Sequence, residues 1–279
     1  MRLATPRVRL NSFIQTAWFE NMADVMHTID GHLATVTLSN PGRYNAMSLA
    51  MWTKLADTFD KLRTDAAVRA VILRGDGDKA FVSGADISEF DTQRNDPANV
   101  AAYDAAVDRA QTALVQFPRP VIAAISGICY GGGLGLAMAC DLRYAAPNAR
   151  FRMPAARLGL GYALKGMKRL VDVLGVARAS EVFYTARVLD AAAAERMGVV
   201  NAVHDDVFAH AAQTGAEIAS NAPMTIATAK QAFNTLLAGS PDADVQAVDA
   251  QVKACFASSD YAEGRQAFAE KRMPNFTEH

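Results

Sequence analysis

The residues from Val121 to Ala145, VIAAISGICYGGGLGLAMACDLRYA, constrain this chain more than any others. The apolar run Val121 to Ile128 predicts a buried strand. Gly131, Gly132 and Gly133 follow, and the small, apolar segment Leu134 to Cys140 predicts a buried helix that closes at Asp141. A strand that turns through glycines into a helix leaves the first N–H groups of that helix without carbonyl partners. That end carries partial positive charge and attracts anions. Glycines also let a helix pack tightly on a sheet, so the triplet alone does not decide between the two uses. A second stretch, KAFVSGADISEF from Lys79 to Phe90, again runs from a strand through a glycine turn into a predicted helix. Two such turns can aim two N–H groups at one oxygen. That is an oxyanion hole, in which a single donor is worth roughly 100- to 1000-fold in rate.

These two stretches, with Asn45-Ala46-Met47 before them and Glu270-Lys271-Arg272-Met273-Pro274 after, resemble the crotonase (enoyl-CoA hydratase/isomerase) superfamily. The resemblance runs from about Ile29 to Phe276. It implies an α/β fold, a right-handed spiral of β-β-α turns with a C-terminal helical region that packs subunits into trimers, commonly paired into hexamers. It places the oxyanion donors at the N–H of Ala85, after the first glycine, and at the N–H of Gly132. The motif residues Ser83, Gly84, Asp86, Ile87, Tyr130, Gly131 and Gly133 come with them as the surrounding substrate-binding set, although Asp86 also reads as a turn or cap residue. Arg43 and Lys271 match positions where the family often sets a cation against coenzyme A phosphates; an exposed cation is also often merely solvated. The implied substrate is an acyl-CoA thioester of the kind met in fatty acid metabolism. Coenzyme A is then part of the substrate, with no separate cofactor and no metal.

The rest of the chain sets bounds. It has 279 residues, 51% of them hydrophobic, and a formal net charge of −1. That is enough to bury a large core. The near-neutral balance argues against a nucleic-acid or membrane-surface partner. No run of 18 apolar residues occurs, so no membrane span is expected. The three cysteines, Cys129, Cys140 and Cys255, are scattered and show no disulfide or zinc spacing, which places the chain in a reducing, cytoplasmic setting. Residues 1–21 carry Arg2, Arg7 and Arg9 with no apolar run behind them, and Met22 is a plausible second start. This extension is expected to be poorly ordered. A spiral core is expected over 22–204 and a helical oligomerisation region over 205–279. Within the core, His32 to Leu38 predicts a strand, Ser48 a cap for a helix from Leu49 to about Leu62, Ala70 to Leu73 a strand, and Val199 to Val203 a last strand. Val176 to Ala186 and Ala191 to Met197 predict helices, the second closing at Gly198.

Other motifs fail. Gly161-Tyr-Ala-Leu-Lys-Gly166 begins like a phosphate-binding loop, but Met167 stands where the lysine belongs. The glycines at 131–135 give no dinucleotide fingerprint, and neither Ser83 nor Ser126 has the glycine two residues before it that a nucleophile elbow requires. The five histidines show no paired ligand spacing; His204 and His210 are read as surface residues.

The chain also departs from the hydratase pattern. Family hydratases use one glutamate two positions after the glycine triplet and another after a proline beyond the next strand. Here those places hold Gly135 and Ala155. A positioned acid or base contributes about 100- to 10,000-fold, so losing two should cripple hydration. Decarboxylation of a malonyl-type thioester needs no base. The stretch from Arg157 to Gly166 resembles the methylmalonyl-CoA decarboxylases, with a tyrosine at the place of Tyr162. Tyr162 is the first candidate acid and Tyr130 the second; Tyr162 also reads as a tyrosine packed at a helix start. Glu89 and Asp91 are weaker candidates. Three readings follow: a hydratase/isomerase-type lyase with unidentified groups, a decarboxylase using Ala85, Gly132 and Tyr162, and a non-catalytic acyl-CoA-binding protein.

Overall fold

The computed structural model describes residues 23–86, 96–239 and 242–277. The extension at 1–21 and the candidates Ile87, Glu89 and Asp91 lie outside the described residues.

The chain alternates between two sheets. In the larger, β1 (Asp24–Asp30) and β2 (Leu33–Ser39) form an antiparallel pair; β3 (Ala70–Gly75), β5 (Val121–Ile125), β7 (Leu142–Ala145) and β10 (Ala202–Val203) continue it in parallel. The smaller sheet takes β4 (Ala80–Val82), β6 (Ile128–Tyr130) and β8 (Arg150–Arg152) in parallel, then β9 (Leu189–Asp190) antiparallel. The strand pairs β3–β4, β5–β6 and β7–β8 thus each give one strand to each sheet before a helix returns the chain.

The predicted strand Val121 to Ile128 is therefore two strands in two sheets. The corner is Gly127, at φ 64°. A Cβ there would lie 2.0 Å from the Lys79 carbonyl oxygen, so backbone from the preceding pass closes the corner to any side chain. Periodicity sees one apolar run because both halves are buried. The strand expected at Val199 to Val203 shortens to β10, because the N–H groups of Val199 and Val200 bond back to Ala194 O at 2.8 and 3.4 Å and close the preceding helix.

Helix α1 (Leu49–Arg63) is capped by Ser48, whose hydroxyl accepts from the Met51 N–H, and it buries Trp52, Leu55, Phe59 and Leu62 on one face. It packs on α2 (Pro97–Val115). Phe59 meets Phe117 edge to face at 5.2 Å, and the Trp52 indole donates to Tyr103 Oη at 2.9 Å. Helix α3 (Gly132–Met138) begins inside the glycine triplet, two residues before the predicted start. After α4 (Ala155–Leu158), the long α5 (Leu164–Thr185) breaks at Gly175, at φ 70°, ψ 162°. The sequence suggested only the part after that break. Helix α6 (Ala191–Met197) ends at Gly198 in the left-handed conformation. From Asp205 the described residues build α7 (Val207–Ala219), α8 (Pro223–Ala238), α9 (Asp242–Ala257) and α10 (Ser259–Glu270).

One buried cation ties α8 to the core. Lys230, 6% exposed, donates to Asp141 Oδ2 at 2.6 Å and to the carbonyls of Arg119 and Leu114 at 3.0 and 3.4 Å. The same Asp141 oxygen accepts the first N–H of β5, from Val121, at 2.7 Å. Among the described residues no helix is long and apolar enough to cross a membrane.

Candidate active site

The glycine turn into α3 has a conformation that side chains forbid. Gly131 sits at φ 51°, ψ −111°, and its N–H donates to Arg152 O at 2.9 Å. Gly133 presses on β4: a Cβ there would lie 2.3 Å from Val82 O. The end of β4 is thereby drawn across the start of α3. A Cβ on Gly132 would stand 4.0 Å from the Gly84 carbonyl carbon and 3.2 Å from the Trp52 ring. Gly84 itself is at φ 127°, and a Cβ there would lie 3.7 Å from Tyr130 O. The Gly84–Ala85 peptide, whose N–H belongs to Ala85, therefore lies beside Gly132.

Ala85 is held from the other side. The Met47 N–H donates to Gly84 O at 2.8 Å, and the Asp86 N–H donates to Met47 O at 3.0 Å. In such a parallel bridge the intervening residue directs its own N–H away from the partner. Neither the Ala85 N–H nor the Gly132 N–H donates a hydrogen bond among the described residues. The structure thus brings two unpartnered amides to adjacent backbone.

The loop behind Met47 is pinned. Tyr44 and Asn45 have φ values of 52° and 54°, unusual for residues with side chains. Asn45 compensates by donating to Asp76 O and Ala80 O at 3.0 and 2.8 Å and accepting from the Asn40 N–H at 3.1 Å. Asn40 donates to Ala46 O at 2.7 Å and to Asp86 at 3.3 Å. Arg43 pairs with Asp86 at 2.7 Å; half of the Arg43 side chain stays in water and Asp86 is buried. The Ser83 hydroxyl donates to Arg43 O at 3.1 Å. Asp86 thus engages the loop and Arg43.

The remaining candidates lie in other surroundings. Tyr162 packs against Gly166 at the start of α5 and meets Phe183 edge to face at 5.6 Å. Burial pushes its phenol above the ordinary value. Lys271, exposed, caps α10 in the left-handed conformation. His204 and His210 stack with centroids 3.5 Å apart, each edge-on to Tyr144. Burial raises the Cys129 and Cys140 thiols, the latter to about 12, so neither is a thiolate near neutrality. A cavity of about 880 Å³ opens between α8, α9 and α10, and none of the predicted site residues lines it.

The sequence reading missed one pair. Gln111 on α2 and Arg169 on α5 meet over Gly135, Arg169 donating to Gln111 Oε1. The only signal for it was the glycine itself: a position without a side chain in a packed interior must be filled from elsewhere.

Residues 28–279 match the family described as Enoyl-CoA hydratase/isomerase. The chain belongs to that family. It is 33% identical over 245 residues to the short-chain-enoyl-CoA hydratase of Clostridium acetobutylicum, covering 87% of this chain and 93% of the relative. It is 34% identical over 246 residues to the crotonyl-CoA hydratase of Syntrophomonas wolfei, covering 88% and 94%. Among solved structures, an enoyl-CoA hydratase/carnithine racemase from Magnetospirillum magneticum superposes with a TM-score of 0.86 at 37% identity, covering 94% of this chain and 98% of that one. An enoyl-CoA hydratase from Bacillus anthracis gives 0.86 at 31%, covering 91% and 99%. The two interleaved sheets are the crotonase fold. In this member of the enoyl-CoA hydratase/isomerase family Gly135 lies on α3 and Ala155 on α4.

Proposed function

We propose that this protein acts on an acyl-CoA thioester, holding the carbonyl oxygen between the N–H groups of Ala85 and Gly132 while the α-carbon becomes an enolate. The observation that carries this reading is the pair of unpartnered amides brought together where Gly133 packs on Val82. Preorganised donors of this kind act on charge as it develops and need no reorganisation at the moment of reaction.

The reaction the site favours forms that enolate without a carboxylate base. Neither Gly135 nor Ala155 can accept a proton. In decarboxylation the carbon–carbon bond to the carboxylate breaks, its electron pair passes into the enolate, and carbon dioxide leaves. A proton then returns to the α-carbon. Tyr162, at the start of α5, is the proposed donor: its phenol carries the O–H that would be given up. Ser83, Gly84, Tyr130, Gly131 and Gly133 shape the surrounding pocket, Asp86 holds Arg43, and Arg43 with Lys271 faces the coenzyme phosphates. Exposed apolar groups on the last helices, Leu236 at 78% and Phe268 at 88%, support assembly into a trimer or a pair of trimers.

Incubation with malonyl-, methylmalonyl- and ethylmalonyl-CoA should release carbon dioxide, and no release from any of the three removes the decarboxylase reading. Similarity to the short-chain-enoyl-CoA and crotonyl-CoA hydratases favours a second reading, water addition to an enoyl thioester. Turnover of crotonyl-CoA above background would establish it. Tight acyl-CoA binding with no turnover on a broad thioester panel would leave a binding protein.

A further inference from the structure

The space above Gly135 is occupied. A Cβ on that glycine would lie 2.8 Å from Nε2 of Gln111, 3.7 Å from its Cδ and 4.0 Å from its Oε1. Gln111 is 6% exposed. Its Oε1 accepts from Arg169, whose other nitrogen reaches Thr112 Oγ1 at 3.3 Å and Asp108 at 3.7 Å. A guanidinium has donors only, so the amide can be oriented in one way: oxygen to Arg169, Nε2 toward Gly135. Nε2 donates to nothing among the described residues, and it is not among the fully buried polar atoms that lack a partner. It therefore keeps some accessible surface beside Gly135. Gly132 and Gly135 are three residues apart on α3, and residues so spaced are neighbours on one helix face, about 5–6 Å apart. The free donor stands about one helical turn from the amide that would hold the thioester oxygen.

We propose that Gln111 Nε2 is the specificity-determining donor for the acyl group: it takes an oxygen of a carboxylate borne on the carbon next to the thioester, so that malonyl-type acyl-CoA is the preferred substrate class. This rests on the acyl-CoA reading above and adds the residue that would select a malonyl-type acyl group. A carboxylate accepts from N–H and offers none, so a donor with no partner of its own is complementary to it, whereas an alkyl chain would leave that donor dry and unpaired. The amide takes no proton, and Arg169 behind it polarises the N–H toward an anion. Gln111 thus binds where the hydratase pattern would place a base.

The test is calorimetric, with malonyl-amino-CoA and butyryl-amino-CoA, in which nitrogen replaces the thioester sulfur and turnover is slowed. The wild-type protein should bind the malonyl analogue roughly tenfold or more tighter than the butyryl one. Gln111→Leu removes the donor. Gly135→Ala keeps it and sets a methyl 2.8 Å from it. Each variant should weaken only the malonyl analogue, bringing the two dissociation constants within about threefold. The two variants fail to fold for different reasons, so either one suffices if the other is lost. Equal wild-type affinities with butyryl binding intact would overturn the inference alone, as would variants that weaken both analogues alike. If neither analogue binds the wild-type protein, the acyl-CoA reading falls and takes this inference with it.

Discussion

The Gly132 amide can be deleted without replacing any side chain, by changing Gly132 to proline. Proline is well placed at the first position of a helix, where the missing N–H has no carbonyl to meet. The residue before a proline must be extended. Gly131 is at φ 51°, ψ −111°, which on reversing both signs is −51°, +111°, an extended conformation. Glycine has no Cβ, so the mirror image is equally acceptable to the following ring. Helix α3 should therefore form in Gly132→Pro. Gly132→Ala is the control: it keeps the N–H and adds a Cβ 3.2 Å from Trp52 Cζ2, so the indole must give by a few tenths of an ångström. Both variants carry that Cβ, and they differ in the donor. Loss of one oxyanion donor is worth about 2.7–4 kcal/mol, or roughly 100- to 1000-fold. The ring Cδ also enters the space the oxygen would fill, so the loss in carbon dioxide release should reach at least that range relative to Gly132→Ala. Circular dichroism would establish that both variants are folded. If the two turn over malonyl-type thioesters within about threefold of one another, the oxyanion role of Gly132 is wrong.

Other perturbations follow from the same coordinates. Asn45→Ala removes three hydrogen bonds and leaves alanine at φ 54°, so it should destabilise by about 2–3 kcal/mol, read by urea unfolding; a change below about 0.5 kcal/mol would contradict the pinning of the 40–47 loop. Lys230→Ala strands the Asp141 carboxylate and two carbonyls; because Asp141 keeps 33% of its side chain in water, the loss should sit at the low end for a broken buried pair, about 3 kcal/mol by thermal melting. A wild-type melting temperature would argue that Lys230 reaches water. Glu263 is held at a pKa of about 2 by Arg272 and by the Asn275 N–H. Its folded pKa lies below the ordinary 4.5, so its contribution is present above pH 4.5 and lost as the pH falls toward about 2. The protection of the Asn275 amide, its exchange rate relative to an unprotected amide at the same pH, should fall across that window, and Glu263→Gln should remove that fall; unchanged protection in the variant would show that the tail is held elsewhere.

Much of the fold is legible in the sequence because its signals are local. Ser48 caps α1, the spacing of Trp52, Leu55, Phe59 and Leu62 marks its buried face, and Gly198 closes α6. The glycines at 84 and 131–133 declare backbone that must turn where side chains cannot follow. What fails is what distant segments decide. The corner at Gly127 exists because Lys79 backbone lies against it, and no periodicity in Val121 to Ile128 records that. The first half of α5 is hidden by its short apolar spacing and by the break at Gly175. Gln111 was invisible as a site residue because a glutamine on a helix is ordinarily solvated; its place is set by Arg169 and by Gly135, which are 58 and 24 positions away (169 − 111 and 135 − 111).

The donors proposed at Ala85 and Gly132 are peptide groups, so ordinary side-chain replacement leaves them in place, provided the glycine packing around them survives. Mutation is then free to rewrite the groups that face the substrate's other atoms. New chemistry on this scaffold starts from an anion cradle already built, with only the supply and fate of the proton left to invent.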